Sequence, residues 1–133
     1  MKTKDQYSVP RALRNWFVIH FIADITFAIP MFLFPVSLLS FLGWQQVDPI
    51  TARMVAAALF GIGIESLLSR NASKESFQTM LSLKIIWSSA AIIGLALGLL
   101  SGSFTIAAVG ISLLIIFILF NILWTYWFIK LRK

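Results

Sequence analysis

Long apolar segments separated by short polar ones dominate this chain. Each long segment reaches the roughly 20 mainly apolar residues that a helix needs to cross a bilayer. A shorter segment at about 35–43, which starts with Pro35, predicts a helix that lies at the membrane interface. The pattern predicts an all-α, integral membrane four-helix bundle, with residues 1–133 forming a single transmembrane domain. The predicted spans are about 12–34, 49–69, 76–100 and 104–130.

Helix-start signals precede two of the predicted spans. Asp48 can cap the second span, with Pro49 as its first helical residue. Ser73 can cap the third span, where Glu75 complements the positive end of the helix dipole. In the first span, Pro30 predicts a kink near the far end of the helix.

The composition excludes several classes of protein. Only 12% of the 133 residues are charged, against about a quarter in soluble domains, and the mean hydropathy is +0.91. Four spans leave no room for a separate soluble domain. The absence of cysteine excludes disulfides, thiolate catalysis and cysteine-ligated metals. No phosphate-binding loop, nucleophile elbow or zinc-protease motif is present, so the sequence predicts no cofactor and favours a protein without enzymatic activity.

The distribution of cations predicts the orientation. If the N-terminus is cytoplasmic, only Arg53 lies near the opposite surface, which satisfies the positive-inside rule. We therefore expect a multi-pass protein of the bacterial inner membrane with both termini in the cytoplasm. The net charge of +6 then indicates contact with anionic lipid headgroups rather than with nucleic acid. The predicted cytoplasmic cations are Lys2, Lys4, Arg11, Arg14, Arg70, Lys74, Lys130, Arg132 and Lys133.

Every predicted span places a polar residue in its cytoplasmic half. Such residues are expensive in a membrane and mark either a functional site or polar contacts between helices. With a neutral histidine their formal charges sum to minus one, and protonation of that histidine near physiological pH would balance them. The residues are His20 and Asp24 in the first span, Glu65 in the second, Lys84 in the third and Asn121 in the fourth.

Lys84 is the most informative of these residues. On a helix it shares a small and polar face with Ser88, Ala91 and Gly98, with Gly94 at the edge, and we expect this face to pack against other helices. Because a buried ammonium needs an anion, the sequence predicts a partner carboxylate at matching depth. The favoured partner is Glu65, and the alternative is Asp24, which can also bond to His20 four residues before it.

Simpler interpretations stand beside a ligand site. The polar residues can serve only as contacts between helices, and Lys84 or Glu65 can extend to the membrane interface. His20, Asp24 and Glu65 are metal-ligating types, but a single histidine beside a lysine argues against a metal site, and we predict none. Trp87, Trp124 and Trp127 could flank a flat organic ligand, although an aromatic belt also explains the last two.

Two stripes of small residues can bring helices close together or dock a partner. One follows the second span at Ala57 and Gly61 and ends at Glu65, and the other follows the third span at Gly94, Gly98 and Gly102. These stripes are compatible with a homo-oligomer or with a membrane-protein partner.

The segments HFIADITFAIPMFLFP, TARMVAAALFGIGIESLLSRNA and LKIIWS give the chain a resemblance to small four-helix membrane proteins of the DoxX-like kind. The resemblance covers about two-thirds of the chain. It implies a four-helix bundle in the bacterial inner membrane, where some members resemble subunits of quinone-linked oxidoreductases. It transfers no catalytic residue to this chain.

The leading functional hypothesis is a protein that binds a small amphipathic or aromatic molecule, quinone- or lipid-like, in the cytoplasmic half. A proton-coupled transporter of a small solute, with His20, Asp24, Glu65 and Lys84 as its relay, is the first alternative. A non-catalytic accessory or scaffold subunit of a membrane complex is the second. The residues assigned to the ligand site or relay are His20, Asp24, Glu65, Lys84, Trp87, Asn121 and Trp124.

Overall fold

A computed structural model describes residues 9–133. Four of its helices are long and apolar enough to cross a membrane, which confirms the prediction of an all-α, four-helix membrane protein. Each begins and ends within three residues of the predicted span. The helices are α1 (Arg11–Leu33), α2 (Pro35–Phe41), α3 (Pro49–Leu68), α4 (Lys74–Leu100) and α5 (Ala107–Arg132), with a 3-10 turn (Ser69–Asn71) after α3.

The helix-start signals act as predicted. The carboxylate of Asp48 accepts a hydrogen bond from the backbone N–H of Thr51 at 2.9 Å, and Pro49 is the first residue of α3. Ser73 Oγ accepts from the backbone N–H of Ser76 at 3.3 Å at the start of α4. In both helices the cap satisfies a backbone donor that has no partner within the helix.

Asp48 makes the start of α3 sensitive to pH. Hydrogen bonds from the side chain and backbone of Thr51 lower the pKa of the Asp48 carboxyl from its ordinary value. A lowered pKa means that the cap stabilises the helix above the ordinary pKa and that this contribution is lost as the pH falls through the lowered one. We expect the protection factors of the Ile50 and Thr51 amides, which correct for the intrinsic pH dependence of exchange, to fall selectively on acidification. An Asp48→Asn variant, which keeps a neutral cap, should lose that pH dependence; an equal fall of the protection factors in both proteins would contradict the assignment.

The long helices form two antiparallel pairs, α1 with α3 and α4 with α5. In the first pair, Arg53 Nε donates to the carbonyl of Phe32 at 3.1 Å, where the end of α1 leaves that carbonyl without a helical partner. In the second pair, α5 comes close to α4 at Gly110, where an added Cβ would lie 2.7 Å from Leu99.

The two pairs meet at both ends of the bundle. At the terminal end, which holds the start of α1 and the end of α5, both pairs contribute to an apolar cluster. Its most deeply buried members are Leu13, Phe17, Phe77, Leu81 and Trp124. Since aromatic rings from α1, α4 and α5 pack here, with the Phe17 and Phe77 centroids 4.6 Å apart, this cluster closes the terminal end.

At the far end, the loop before α3 pairs with the loop before α5. Thr105 N donates to the carbonyl of Gly43 at 2.7 Å, and the rings of Trp44 and Phe104 lie 4.4 Å apart. Gly43 has a φ of +88°, and a Cβ there would also meet the backbone nitrogen of Ile106 at 3.2 Å, so the contact requires glycine. Between these two closures a partly open cavity lies between the helix pairs.

The described cations follow the predicted distribution along the helices, with Arg53 alone near the far end. Lys2 and Lys4 lie outside the described residues. Which end faces the cytoplasm stays a prediction. The cations at the terminal end are Arg11, Arg14, Arg70, Lys74, Lys130, Arg132 and Lys133.

Candidate functional site

A cavity of about 800 Å³ lies between the two helix pairs. One of its ends is formed by His20, Asp24 and Lys84, and the other by the Trp44–Phe104 contact. Along α4 it extends from Lys84 to Gly98, which corresponds to about 21 Å at the rise of an α-helix. The walls between the two ends are mainly apolar, and include Phe27, Met31, Leu59, Trp87, Leu95 and Phe117.

The small face of α4 lines this cavity. We predicted that Ala91, Gly94 and Gly98 would pack against other helices, and this prediction is wrong for most of the face. All three residues border the cavity, and no atom outside the local backbone lies within 4 Å of a Cβ built on Gly94. The closures at the two ends hold the helix pairs apart, so the missing side-chain volume becomes ligand-sized space rather than a helix contact.

The ammonium of Lys84 is buried at the polar end of the cavity, and its residue is only 1% exposed. Nζ donates to Ser66 Oγ at 2.7 Å and lies 3.1 Å from His20 Nδ1. It also lies 5.0 Å from the ring centroid of Phe17 and 5.2 Å from that of Trp124, within cation–π range. The ammonium is therefore held by residues from α1, α3 and α5 and does not extend to an interface.

The carboxylate of Asp24 lies beside this ammonium site, with the residue 8% exposed. Its Oδ2 is 2.9 Å from His20 Nδ1 but has no aligned hydrogen-bond partner. Nδ1 carries one lone pair or one hydrogen, and its aligned contact is with Lys84. Within the described residues, neither carboxylate oxygen accepts a hydrogen bond with good geometry. Burying a charge without hydrogen bonds is costly, so Asp24 is the unsatisfied group of the site.

The predicted pairing of Lys84 with Glu65 is wrong. Glu65 is exposed on the outer surface of α3 and accepts a hydrogen bond from Ser69. Its neighbour Ser66 points inward instead, is fully buried and bonds to Lys84. The alternative, a direct ion pair of Lys84 with Asp24, is not formed among the described residues either, since the ammonium contacts Ser66 and His20. The two buried charges are nevertheless Asp24 and Lys84, which balance, rather than the sum of minus one expected with Glu65 included.

The remaining predicted site residues separate into two groups. Trp87 lines the cavity, whereas Trp124 lies behind His20, with the two ring centroids 5.1 Å apart, and does not line it. Asn121 donates to Ser88 Oγ at 2.8 Å and to Ser89 Oγ at 3.0 Å, so it joins α5 to α4. Trp127, considered as a third ring beside a ligand, belongs to the terminal cluster.

Three groups of the site are not among the residues predicted from the sequence, namely Ser66, Gly63 and the ring of Phe17. An added Cβ on Gly63 would lie 2.9 Å from Asp24 Cβ, so this glycine brings α3 against α1 at the carboxylate. Two sides of α3 could face the other helices. The side that does so in the structure carries Ala52, Ala56, Leu59, Ile62 and Ser66. The other carries Ala57, Gly61 and Glu65, and the residue types do not show which of the two faces inward.

The arrangement suits a polar group at one end of an elongated apolar molecule. His20 and Asp24 can contact such a group, whereas Lys84 is already occupied by protein partners. From residue 9 onward, no three histidine, aspartate or glutamate side chains lie close enough together to hold a metal ion.

Comparisons of the chain with family models, with curated proteins and with solved structures find no match, so the DoxX-like resemblance stays a prediction.

Proposed function

We propose that this membrane protein binds a small amphipathic molecule, quinone- or lipid-like, in the cavity between its helix pairs. The observation that carries the proposal is the combination of about 800 Å³ of mainly apolar space with one buried polar end. Ligand pockets in proteins have volumes of about 300–1,000 Å³, apolar walls and few polar groups. Protein interiors are otherwise closely packed, so space of this size between helices favours an occupant.

A transporter based on the predicted relay has less support. That relay needed Glu65, which lies on the outer surface of α3 and contacts none of the other three residues. The cluster around Phe17 and Phe77 also separates the polar end of the cavity from the terminal end of the bundle. No feature of the cavity favours an accessory subunit over a ligand-binding protein.

Cavity blocking tests the proposal. The probe is a 12-carbon alcohol that carries a photoreactive diazirine in its chain, added to the protein in lipid nanodiscs. We expect saturable labelling of residues that line the cavity, such as Trp87 and Leu95. Replacing Ala91, which lines the cavity, with phenylalanine should reduce this labelling about tenfold or more, because its ring fills the space that the chain needs.

Ala90→Phe is the matched control, since Ala90 lies on the same helix but is exposed and does not line the cavity. It should leave the labelling unchanged. Labelling that does not saturate, or that both variants reduce equally, would contradict a specific site in the cavity.

A further inference from the structure

We infer that the ligand carries an uncharged hydroxyl group, which Asp24 and His20 recognise together at the polar end of the cavity. This inference rests on the proposed function, because it names the chemical class that the proposed site selects. It follows from which hydrogen-bonding groups of the site are already occupied and which are not.

Lys84 does not recognise the ligand. Two of its ammonium hydrogens have partners in Ser66 Oγ and His20 Nδ1, and the rings of Phe17 and Trp124 flank the ammonium. A lysine ammonium has three hydrogens and no acceptor. Because protein groups surround the ammonium, it has little room to donate a hydrogen bond to the ligand. The role of Lys84 is instead to balance the charge of Asp24.

Asp24 requires a donor. Its carboxylate is a strong acceptor that lines the cavity and receives no aligned hydrogen bond from any described residue. An ether, an ester or a ketone cannot supply a hydrogen, and a second carboxylate would add like charge in a site with low dielectric. A ligand amine could donate as an ammonium, but the buried Lys84 nearby would repel it.

His20 supplies the complementary group. Because an ammonium can only donate, we assign Nδ1 as the acceptor from Lys84, which places the hydrogen of a neutral ring on Nε2. No hydrogen bond to Nε2 forms within the part of the chain that the structure describes, and His20 lines the cavity. A hydroxyl is both donor and acceptor, so its chemistry matches the acceptor at Asp24 and the donor at His20, which that of a carbonyl or a carboxylate does not.

The shape of the cavity indicates what the apolar part of the ligand is. The walls beyond the polar end carry Phe27, Leu59, Leu95 and Phe117, and the space continues toward Trp44. An alkyl or prenyl chain, or a flat apolar ring system, fits a space about 21 Å long. Among the quinone- or lipid-like molecules proposed above, the ligand class is thus an amphiphile with a terminal hydroxyl, such as a long-chain alcohol or a phenol with an apolar chain. An oxidised quinone, whose carbonyls only accept hydrogen bonds, is outside this class.

A series of probes that share one alkyl chain and differ in their head group tests this ligand class. Four diazirine-bearing 12-carbon probes differ only in their head, which is a hydroxyl, its methyl ether, a methyl ketone or a carboxylate. In the wild-type protein, we expect the hydroxyl probe to half-saturate labelling of the cavity at a concentration about tenfold or more below the other three. A donor lost opposite a buried carboxylate typically reduces affinity by at least this factor.

Substitution of Asp24 identifies the residue responsible. In Asp24→Asn the side chain can also donate, so the preference for hydroxyl over ketone should fall to about threefold or less. The Lys84→Met/Asp24→Asn double variant, which removes both buried charges, provides the same measurement if the single variant folds poorly. Asp48→Asn, at the other aspartate that lines the cavity, should keep the full preference.

The outcomes separate the two proposals. If all four probes label the cavity equally well, the hydroxyl assignment is overturned while ligand binding in the cavity stands. If the hydroxyl preference persists unchanged in Asp24→Asn, recognition by Asp24 is overturned. If no probe labels the residues of the cavity saturably, the proposed function fails, and the hydroxyl assignment fails with it.

Discussion

Lys84→Met is expected to destabilise the folded protein by about 3–5 kcal/mol, because it leaves the buried Asp24 carboxylate without its compensating charge. The methionine keeps most of the apolar volume of the lysine, so a large loss reports on charge rather than on packing. The measurement is reversible unfolding in mixed micelles by titration with a denaturing detergent. Lys130→Met is the control, since Lys130 is exposed near the end of α5 and its replacement should cost little.

A double-mutant cycle identifies the carboxylate whose buried charge Lys84 balances. Combining Lys84→Met with Asp24→Asn should recover much of the loss, because the two substitutions together remove the uncompensated charge. Combining Lys84→Met with Glu65→Gln should give an additive effect, since Glu65 is on the outer surface of α3. Recovery with Glu65→Gln instead, or a cost for Lys84→Met no larger than for Lys130→Met, would contradict the structure of the site.

Gly63→Ala is expected to lower the free energy of unfolding by about 1–3 kcal/mol and to weaken probe labelling of the cavity. The added Cβ would lie 2.9 Å from Asp24 Cβ and 3.4 Å from its Oδ2, a clash with an atom next to the backbone of α1. The helices must therefore separate where the carboxylate is held. The same detergent titration measures the stability, and the photoreactive alcohol measures the binding.

Gly61→Ala provides a closely matched comparison on the same helix. Nothing lies within 4 Å of a Cβ added at Gly61. Alanine is the better helix former, so this variant should be neutral or more stable by up to about 1 kcal/mol. Equal losses in the two variants would mean that glycine supports α3 in general and does not specifically allow its close approach to α1.

The spans and their boundaries could be predicted because they depend on local chemistry. A long apolar segment must form a helix in a bilayer, since its backbone groups have no other partners there. Asp48 and Ser73 cap their helices through hydrogen bonds to amides two or three residues away, and Pro35 can only begin a helix where a backbone N–H is not needed. Contacts this short in sequence require no knowledge of the remaining helices.

The candidate site could be predicted only in part. His20, Asp24 and Lys84 were identified because charge and polarity in an apolar segment are visible in the sequence. Ser66 and Glu65 are adjacent, and which of them faces Lys84 depends on the rotation of α3 about its axis. Between Arg53 and Glu65, α3 is apolar on all sides, so the rest of its residue pattern does not select one rotation.

The all-α class, the four long helices and the presence of a lysine that must be compensated inside an apolar helix follow from the residues alone. Packing between the helices sets which groups surround that lysine and what the small face of α4 does. The approach of α3 at Gly63 turns Ser66 toward Lys84, and the closures at Trp44–Phe104 and around Phe17 hold the helix pairs apart. The spacing between the helix pairs arises from packing between residues far apart in the chain. Without that spacing, a face of alanine and glycine can equally be expected to pack against a helix or to line a cavity.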